Sequence, residues 1–291
     1  MPIRELARAK INLTLTVHGR RPDGYHELES LVVFADVADE VVLHPGAALG
    51  ASTAGPFAAE IAGANLAETT LRRLWDLDAG LQLGSVTLTK NLPVAAGLGG
   101  GSADAAAVLR AVRSANPDLA KRIAWHDLAA RLGADVPVCL AGQPTLMWGI
   151  GDKLEPLADG VPELPAVLVN PRVLLSTAQV FAALDAAPAP PSRRPAPLTI
   201  QNTEALLDLM RSRGNDLERP ATALLPVIAD IKAALMTQTD CRLAALSGSG
   251  PTCFGIFSDA AAASHAAAAL AAAHPQWWVV ATRLAGKTSR T

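Results

Sequence analysis

Cysteine is scarce in this chain: Cys139, Cys241 and Cys253 are its three thiols, widely separated and never at Cys-x-x-Cys spacing. An odd, scattered set excludes a disulfide framework and suits reduced thiols of the cytosol. Histidine pairs at metal-ligand spacing are missing too, so a structural zinc is not expected. Aromatic residues make up 4% of the chain, and Tyr25 is its single tyrosine. The hydrophobic half is therefore mainly Ala, Leu and Val, a composition suited to helices packed on sheets. Net charge is only −2 and no Lys/Arg run exceeds two residues. That argues against a surface for nucleic acid or anionic membrane, so an anionic ligand would depend on a few placed cations and backbone N–H groups. No apolar stretch reaches the ~18 residues a bilayer demands; the nearest, 260–273, is short and carries His265. Arg4, Glu5, Arg8 and Lys10 break up the first ten residues, which lack the apolar core of a signal peptide. A soluble, cytoplasmic protein is expected, without membrane or nucleic-acid partners.

What is present has α+β organisation. Ile11, Leu13, Leu15 and Val17 alternate with Asn12, Thr14, Thr16 and His18, the period of a half-buried strand with a polar outer face. After the turn formers of 19–24, strands are expected at 28–33 and 40–43. A helix over 65–75 follows, with Asn65 as N-cap, and then a strand over 86–89 ending at Lys90. An Ala-rich helix over 102–112 and another over 125–132, closed by Gly133 in the C′ position, come next. The pattern loosens between 141 and 159. The second half continues with a strand at 167–169, helices over 203–211 and 220–236, strands at 242–246 and 252–257, a helix over 259–272 and a last strand over 277–284. Between them, 186–197 is rich in Pro and Ala, which excludes helix or central strand, and a mobile loop is expected there.

The densest chemical signal is Pro93-Val94-Ala95-Ala96-Gly97-Leu98-Gly99-Gly100-Gly101-Ser102-Ala103. Glycines admit positive φ and let an anion approach the backbone with no Cβ in the way. Ser102 could cap the helix that follows, whose first N–H groups are unpaired and carry the positive end of the dipole. A dinucleotide fingerprint would want Gly where Ser102 stands, and a Walker motif would want a lysine after the loop. A bare glycine-rich helix entry is the alternative. A second small-residue loop, Leu246 to Thr252, lies between strands, where a plain hairpin would also serve. Two such loops suggest one shared ligand.

Together these loops resemble those of the GHMP kinase superfamily, which phosphorylates small alcohols with ATP. Four further segments narrow the resemblance: Ala9-Lys10-Ile11-Asn12-Leu13, Arg21-Pro22-Asp23-Gly24-Tyr25-His26, Gly133-Ala134-Asp135-Val136-Pro137 and Asn215-Asp216-Leu217-Glu218. They are similar to the branch whose alcohol is 4-diphosphocytidyl-2-C-methyl-D-erythritol, in the non-mevalonate isoprenoid route. The likeness runs from about residue 7 to residue 257. It implies a two-domain α+β fold: a ribosomal protein S5 domain 2-like ATP-binding half over 1–155 and a ferredoxin-like half over 156–291, with the active site in the interdomain cleft.

The resemblance also implies roles. Asp135, otherwise a turn or capping residue before Pro137, becomes the general base, and Lys10, otherwise a solvated lysine, the cation that keeps it ionised. Residues 93–103 would hold the ATP phosphates, with Asn65 and Lys90 near adenine or ribose; a helix cap and a surface charge are their plainer readings. Tyr25 would stack on cytosine, Asn12 and His26 would hydrogen-bond its edge, and Phe181 would close the other ring face or simply pack in the core. Gly248 and Ser249 would face the substrate. Asp104 reads as a helix-dipole partner. The family often has a second serine where this chain has Ala103, which leaves Ser102 as the loop's hydroxyl. Mg²⁺ is expected with ATP, held largely through phosphates and water, its protein ligand unassigned. A monomer or homodimer is expected. The alternatives are a kinase for homoserine, mevalonate or a sugar, and a nucleotide-binding homologue without catalysis.

Overall fold

The computed structural model describes residues 1–285 apart from Ala62, Ala64 and Ala79. Its first half runs β1 (Ile3–Asn12), β2 (Thr16–Arg20), β3 (His26–Pro45), β4 (Gly50–Ala54), α1 (Leu66–Leu77), β5 (Gly84–Thr89), α2 (Gly100–Ala115), α3 (Trp125–Leu132) and α4 (Val136–Ala141). The second half runs β6 (Thr145–Gly149), β7 (Lys153–Pro156), β8 (Leu164–Asn170), α5 (Thr177–Ala183), α6 (Thr203–Arg213), α7 (Glu218–Leu224), α8 (Val227–Met236), β9 (Cys241–Leu246), β10 (Cys253–Phe257), α9 (Ala260–Ala273) and β11 (Trp278–Leu284). Backbone contacts divide the chain into two compact units. One comprises 1–9, 37–94 and 99–142, and the other 10–36, 95–98 and 143–291.

In the first unit β5 pairs antiparallel with the end of β3, from Glu40↔Thr89 to Pro45↔Gly84, and parallel with β4. Val41, Leu43, Val86 and Leu88 are buried from this sheet. Helix α2 packs on α1 and α4. Its alanines make that possible: Ala105, Ala106, Ala107 and Ala111 are fully buried, and small side chains let helix axes approach closely.

In the second unit β10 lies between β8 and β9, and β11 pairs with the far edge of β8, all antiparallel. Helices α8 and α9 pack on these strands. Ile228, Ile231, Leu235, Ala263 and Leu270 from the helices close the core over Val167, Val169 and Phe257. The start of β3 pairs with β2 and with β6, which pairs in turn with β7.

The α+β class holds, and α1 begins at its expected cap, Asn65, whose side chain accepts the Glu68 N–H at 2.7 Å. Several local expectations are corrected. The alternation after Ile11 marks a polar outer face only toward His18, which is exposed, because Asn12 and Thr14 are 2% and 1% exposed. Each of these two gains a partner from β3: Asn12 Nδ2 donates to Ser30 Oγ at 2.7 Å, and Thr14 Oγ1 accepts the Leu31 N–H at 3.2 Å. These hydrogen bonds offset part of the cost of burial, although Asn12 Oδ1 gains none. The strands expected at 28–33 and 40–43 are one, β3. Helix α2 starts at Gly100 after Gly99 with φ +61°, so Ser102 lies inside the first turn and does not cap it. Gly133 closes α3 in an extended conformation, φ 167°, not a left-handed one. The helix expected over 220–236 is interrupted: α7 ends at Leu224 and α8 starts after Pro226, which has no N–H to continue the ladder. Segment 186–197 is a loop, as expected, but it is tied to β2 rather than left loose.

Candidate active site

The glycine segment is shaped by the loop between β9 and β10. Gly97 has φ +73°, and a Cβ there would stand 2.7 Å from both the Ser247 and the Gly250 carbonyl oxygens. Only glycine permits this backbone-on-backbone contact. The Thr252 N–H donates to the Ala96 carbonyl at 3.2 Å, and Ser247 Oγ donates to the Gly97 carbonyl at 3.1 Å. The end of β1 joins them. The Lys10 N–H donates to the Leu98 carbonyl at 2.8 Å, and the Asn12 N–H donates to Ser247 Oγ at 3.3 Å. Within the second unit, residues 10–12, 95–98 and 247–252 thus form one hydrogen-bonded nest. It unites Lys10, Asn12, Gly97, Gly248 and Ser249, all expected at the site.

Asn215 reinforces this nest. Its Nδ2 donates to the Leu246 and Gly248 carbonyls at 2.9 and 2.8 Å, while Oδ1 accepts the Leu217 N–H. Asp216 accepts the Val17 N–H at 2.7 Å. The Asn-Asp-Leu-Glu segment was visible as a motif, but its positioning role required the fold. Asn12 Oδ1 is buried with no hydrogen-bond partner among the described residues. It lies 3.1 Å from where a Cβ on Gly248 would stand. An unpaired buried acceptor costs free energy unless a ligand donor meets it.

Ser249 Oγ shares a 2.8 Å hydrogen bond with Thr177 Oγ1, at the start of α5, the helix that carries Phe181. Phe181 stands with its ring 4.8 Å from that of His26, tilted by 30°. Burial, with the Arg20 cation nearby, lowers the pKa of His26 below its ordinary value. Tyr25 is 59% exposed at the tip of the turn before β3, a large solvent-facing ring. These aromatic groups belong to the same unit as the nest.

The first unit holds Pro93, Val94, Gly99 to Ala103, Asn65, Lys90 and Asp135. Asn65 uses both ends of its amide, capping α1 and donating to Thr53 Oγ1 at 2.9 Å. Lys90 is 3% exposed and paired with two carboxylates, Asp39 and, at 2.8 Å, Asp104. Burial alone would lower its pKa, but the two negative charges hold it above the ordinary lysine value. Asp39 also accepts the Asn91 and Leu92 N–H groups at 2.5 and 2.8 Å. Asp104 is pushed up to about 7, chiefly by burial, with the Lys90 cation opposing and the Asp39 charge adding to the rise. A Cβ on Gly100 would lie 3.5 Å from Lys90 Nζ, so this cluster sits directly beside the first turn of α2. Asp104 is therefore an ion-pair partner as well as a residue of the helix start. Asp39, lying in the long strand β3, carried no sequence signal.

Asp135 is the residue before α4, half-buried, with Pro137 fixing the first turn; its side chain does not cap the helix. Ser102 is half-buried within the first turn of α2. Lys10 is 5% exposed. Among the described residues no group of His, Cys, Asp and Glu is arranged to hold a metal by itself. No helix among them is long and apolar enough to cross a membrane.

Comparison with known proteins gives the family. The GHMP kinases N terminal domain matches residues 65–143, and the GHMP kinases C terminal family matches residues 197–276. A 4-diphosphocytidyl-2-C-methyl-D-erythritol kinase of Rhodopseudomonas palustris is 49% identical, covering 98% of each chain. One from Cereibacter sphaeroides is 48% identical over 96% of this chain and 98% of its own. A crystal structure of 4-(cytidine 5'-diphospho)-2C-methyl-D-erythritol kinase superposes with a TM-score of 0.76 at 34% identity, covering 98% of this chain and all of that one. Identity at this level over the whole length shows more than a shared fold, and the chain belongs to the 4-diphosphocytidyl-2-C-methyl-D-erythritol kinases of the GHMP kinase family.

Proposed function

We propose that this kinase transfers the γ-phosphoryl group of ATP to the 2-hydroxyl of 4-diphosphocytidyl-2-C-methyl-D-erythritol, a step of the non-mevalonate isoprenoid route. The products are the 2-phosphate and ADP: a bond forms between the hydroxyl oxygen and the γ-phosphorus, and the bond to the bridging oxygen breaks. The observation that carries this reading is the nest of residues 10–12, 95–98 and 247–252, with His26 and Phe181 in the same unit. One arrangement supplies backbone for phosphates, an unpaired amide oxygen for a ligand donor and aromatic rings for a base.

In this reading residues 93–103 cradle the phosphates, and Asn65 and Lys90 border the adenosine part. Asp135 takes the proton of the 2-hydroxyl, with Lys10 favouring its ionised form. Such positioned proton transfer contributes typically ~10²–10⁴-fold. Charge stabilisation and alignment do the rest, since phosphoryl transfer leaves the protein little covalent work. Ser102 is the loop's available hydroxyl beside Mg²⁺, which would come with ATP and would supply neutralisation of phosphate charge. Tyr25 stacks on cytosine, Asn12 Oδ1 and His26 read its edge, and Gly248, Ser249 and Phe181 complete the pocket wall. The protein acts in the cytoplasm as a monomer or homodimer. Its halves, 1–155 and 156–291, each contain one of the two matched family segments.

Homoserine, mevalonate and simple sugars offer no pyrimidine for this aromatic group. The test is an ADP-release assay over a panel of alcohols that includes 4-diphosphocytidyl-2-C-methyl-D-erythritol. Turnover of that alcohol is expected. Turnover of another alcohol only, or of none, would overturn the proposal.

A further inference from the structure

The Ala/Pro-rich segment 186–197 packs on the strand that carries the turn of Tyr25. Within Pro188-Ala189-Pro190-Pro191 only Ala189 retains a backbone N–H, and that donor goes to the Arg20 carbonyl at 2.8 Å. The Arg20 N–H returns a bond to the Ala187 carbonyl at 2.7 Å. On its other edge Arg20 pairs with His26 of β3. The segment therefore acts as a short extra strand behind the one that holds His26. Gly19 makes room for it. Its φ is +148°, and a Cβ there would stand 2.6 Å from the Ala187 oxygen and the Ala189 Cα. The prolines limit the conformations this segment must give up to dock.

A side-chain relay runs from the same segment into the turn. Lys153 Nζ donates to Ser192 Oγ at 3.2 Å, and Ser192 Oγ donates to Glu27 Oε1 at 2.5 Å. Glu27 is 5% exposed, and its other oxygen accepts from Arg21 Nη1 at 3.3 Å. Arg21 forks onto Asp23 at 2.9 and 3.1 Å, and Asp23 Oδ1 accepts the Tyr25 N–H at 3.2 Å. The Arg21 N–H closes the turn on the Tyr25 carbonyl at 2.7 Å. A buried carboxylate linking a loop to an exposed turn fixes geometry that a short turn alone cannot hold.

We propose that segment 186–197 is a fixed strap that sets the Arg21–His26 turn, with Ser192 and Glu27 as positioning residues for the pyrimidine end of the substrate. This rests on the reading of Tyr25 and His26 as the cytosine subsite. The strap acts through the turn, so it governs affinity for the cytidyl group and leaves the chemical step alone.

Ser192→Ala, Ser192→Thr, Glu27→Gln and Gly19→Ala are the informative variants, measured against the wild-type chain. Hydrogen exchange at the Tyr25 amide reads the coupling without any ligand, and calorimetry with cytidine diphosphate reads the subsite without catalysis. Expected for Ser192→Ala and Glu27→Gln are faster exchange at Tyr25 and a roughly three- to tenfold weaker affinity for cytidine diphosphate. The KM for the cytidyl alcohol should rise in step, with kcat and the KM for ATP unchanged. Ser192→Thr, which keeps the hydroxyl, should restore both. Gly19→Ala, which displaces the strap from the other side, should behave as Ser192→Ala does. Unchanged exchange in Ser192→Ala and Glu27→Gln, or faster exchange with unchanged affinity, would overturn the strap. Failure of the wild-type chain to bind cytidine diphosphate would instead remove the subsite reading beneath it.

Discussion

Asp135 and His26 show how differently two single residues come by their chemistry. Asp135 stands on the stiff entry to α4, where Pro137 restricts the backbone. In the proposed reaction the carboxylate on this restrained backbone is the general base. Asp135→Asn keeps the shape and removes the basicity, so kcat should fall by ~10²–10⁴-fold with the KM for ATP little changed. Steady-state kinetics decide this, and activity within a few-fold of wild type would refute the role. His26 owes its state to its surroundings: burial and the Arg20 cation lower its pKa from 6.5. The ring is thus neutral at pH 7 and can accept or donate one hydrogen bond. In the unfolded chain the imidazole gains its proton near the ordinary value, and in the folded protein only at lower pH. Acidification below pH 6.5 therefore favours the unfolded chain and, on further descent, charges the His26 ring of the proposed subsite. The KM for the cytidyl alcohol should rise as pH falls through this lowered pKa, and His26→Gln should flatten that dependence. A KM profile from pH 5 to 8 measures both.

At the scale of elements, the first turn of α2 combines an exposed glycine with a buried ion cluster. A Cβ on Gly101 would meet no atom within 4 Å, and its φ is not positive. Gly101→Val should therefore leave thermal stability unchanged or slightly raised, since glycine is a poor interior helix residue. The KM for ATP should rise at least about tenfold if phosphates approach this backbone as glycine allows. Unaltered nucleotide affinity in the folded variant would dismiss the cradle. Asp104 lies one turn further, with its folded pKa raised from 3.8 to about 7 by burial. The folded state thus keeps a proton that the unfolded chain releases above pH 3.8. This group's contribution to stability is fully present below that value and is lost as pH rises to about 7. Asp104→Asn mimics the protonated form and leaves Lys90 its pair with Asp39. The variant should gain stability over wild type at pH 8 more than at pH 5, as urea melts would show. An equal difference at both values would place Asp104 ionised throughout.

For the whole molecule, stability rests on apolar cores built by each unit, without disulfides among the described cysteines. Ile231 lies fully buried between α8 and the sheet of the second unit. Ile231→Ala should cost about 2–5 kcal/mol, by lost burial and by the cavity left behind. Urea denaturation would show the shift in midpoint, and kinetics at 25 °C should stay near wild type because Ile231 is not itself a proposed site residue. The chain passes repeatedly between its units, which take residues from both ends of β1 and of β3. Such interleaving leaves no composition shift to mark it.

Sequence alone was enough for the family, the two small-residue loops, the cap at Asn65 and most helices of the second half. These depend on local rules: a residue's own propensity, a period of two or of 3.6, or a cluster of glycines. Tertiary structure alone decided the remainder. Asn12 and Thr14 read as an outer face until β3 supplied partners that let them be buried. Lys90 read as a surface charge until Asp39, 51 residues away, and Asp104 enclosed it. The Pro-rich segment read as loose chain until the Arg20 carbonyl took its Ala189 amide and Glu27 its Ser192 hydroxyl. In each case the deciding interaction joins residues far apart in sequence, and local pattern carries no trace of a partner that only folding brings near.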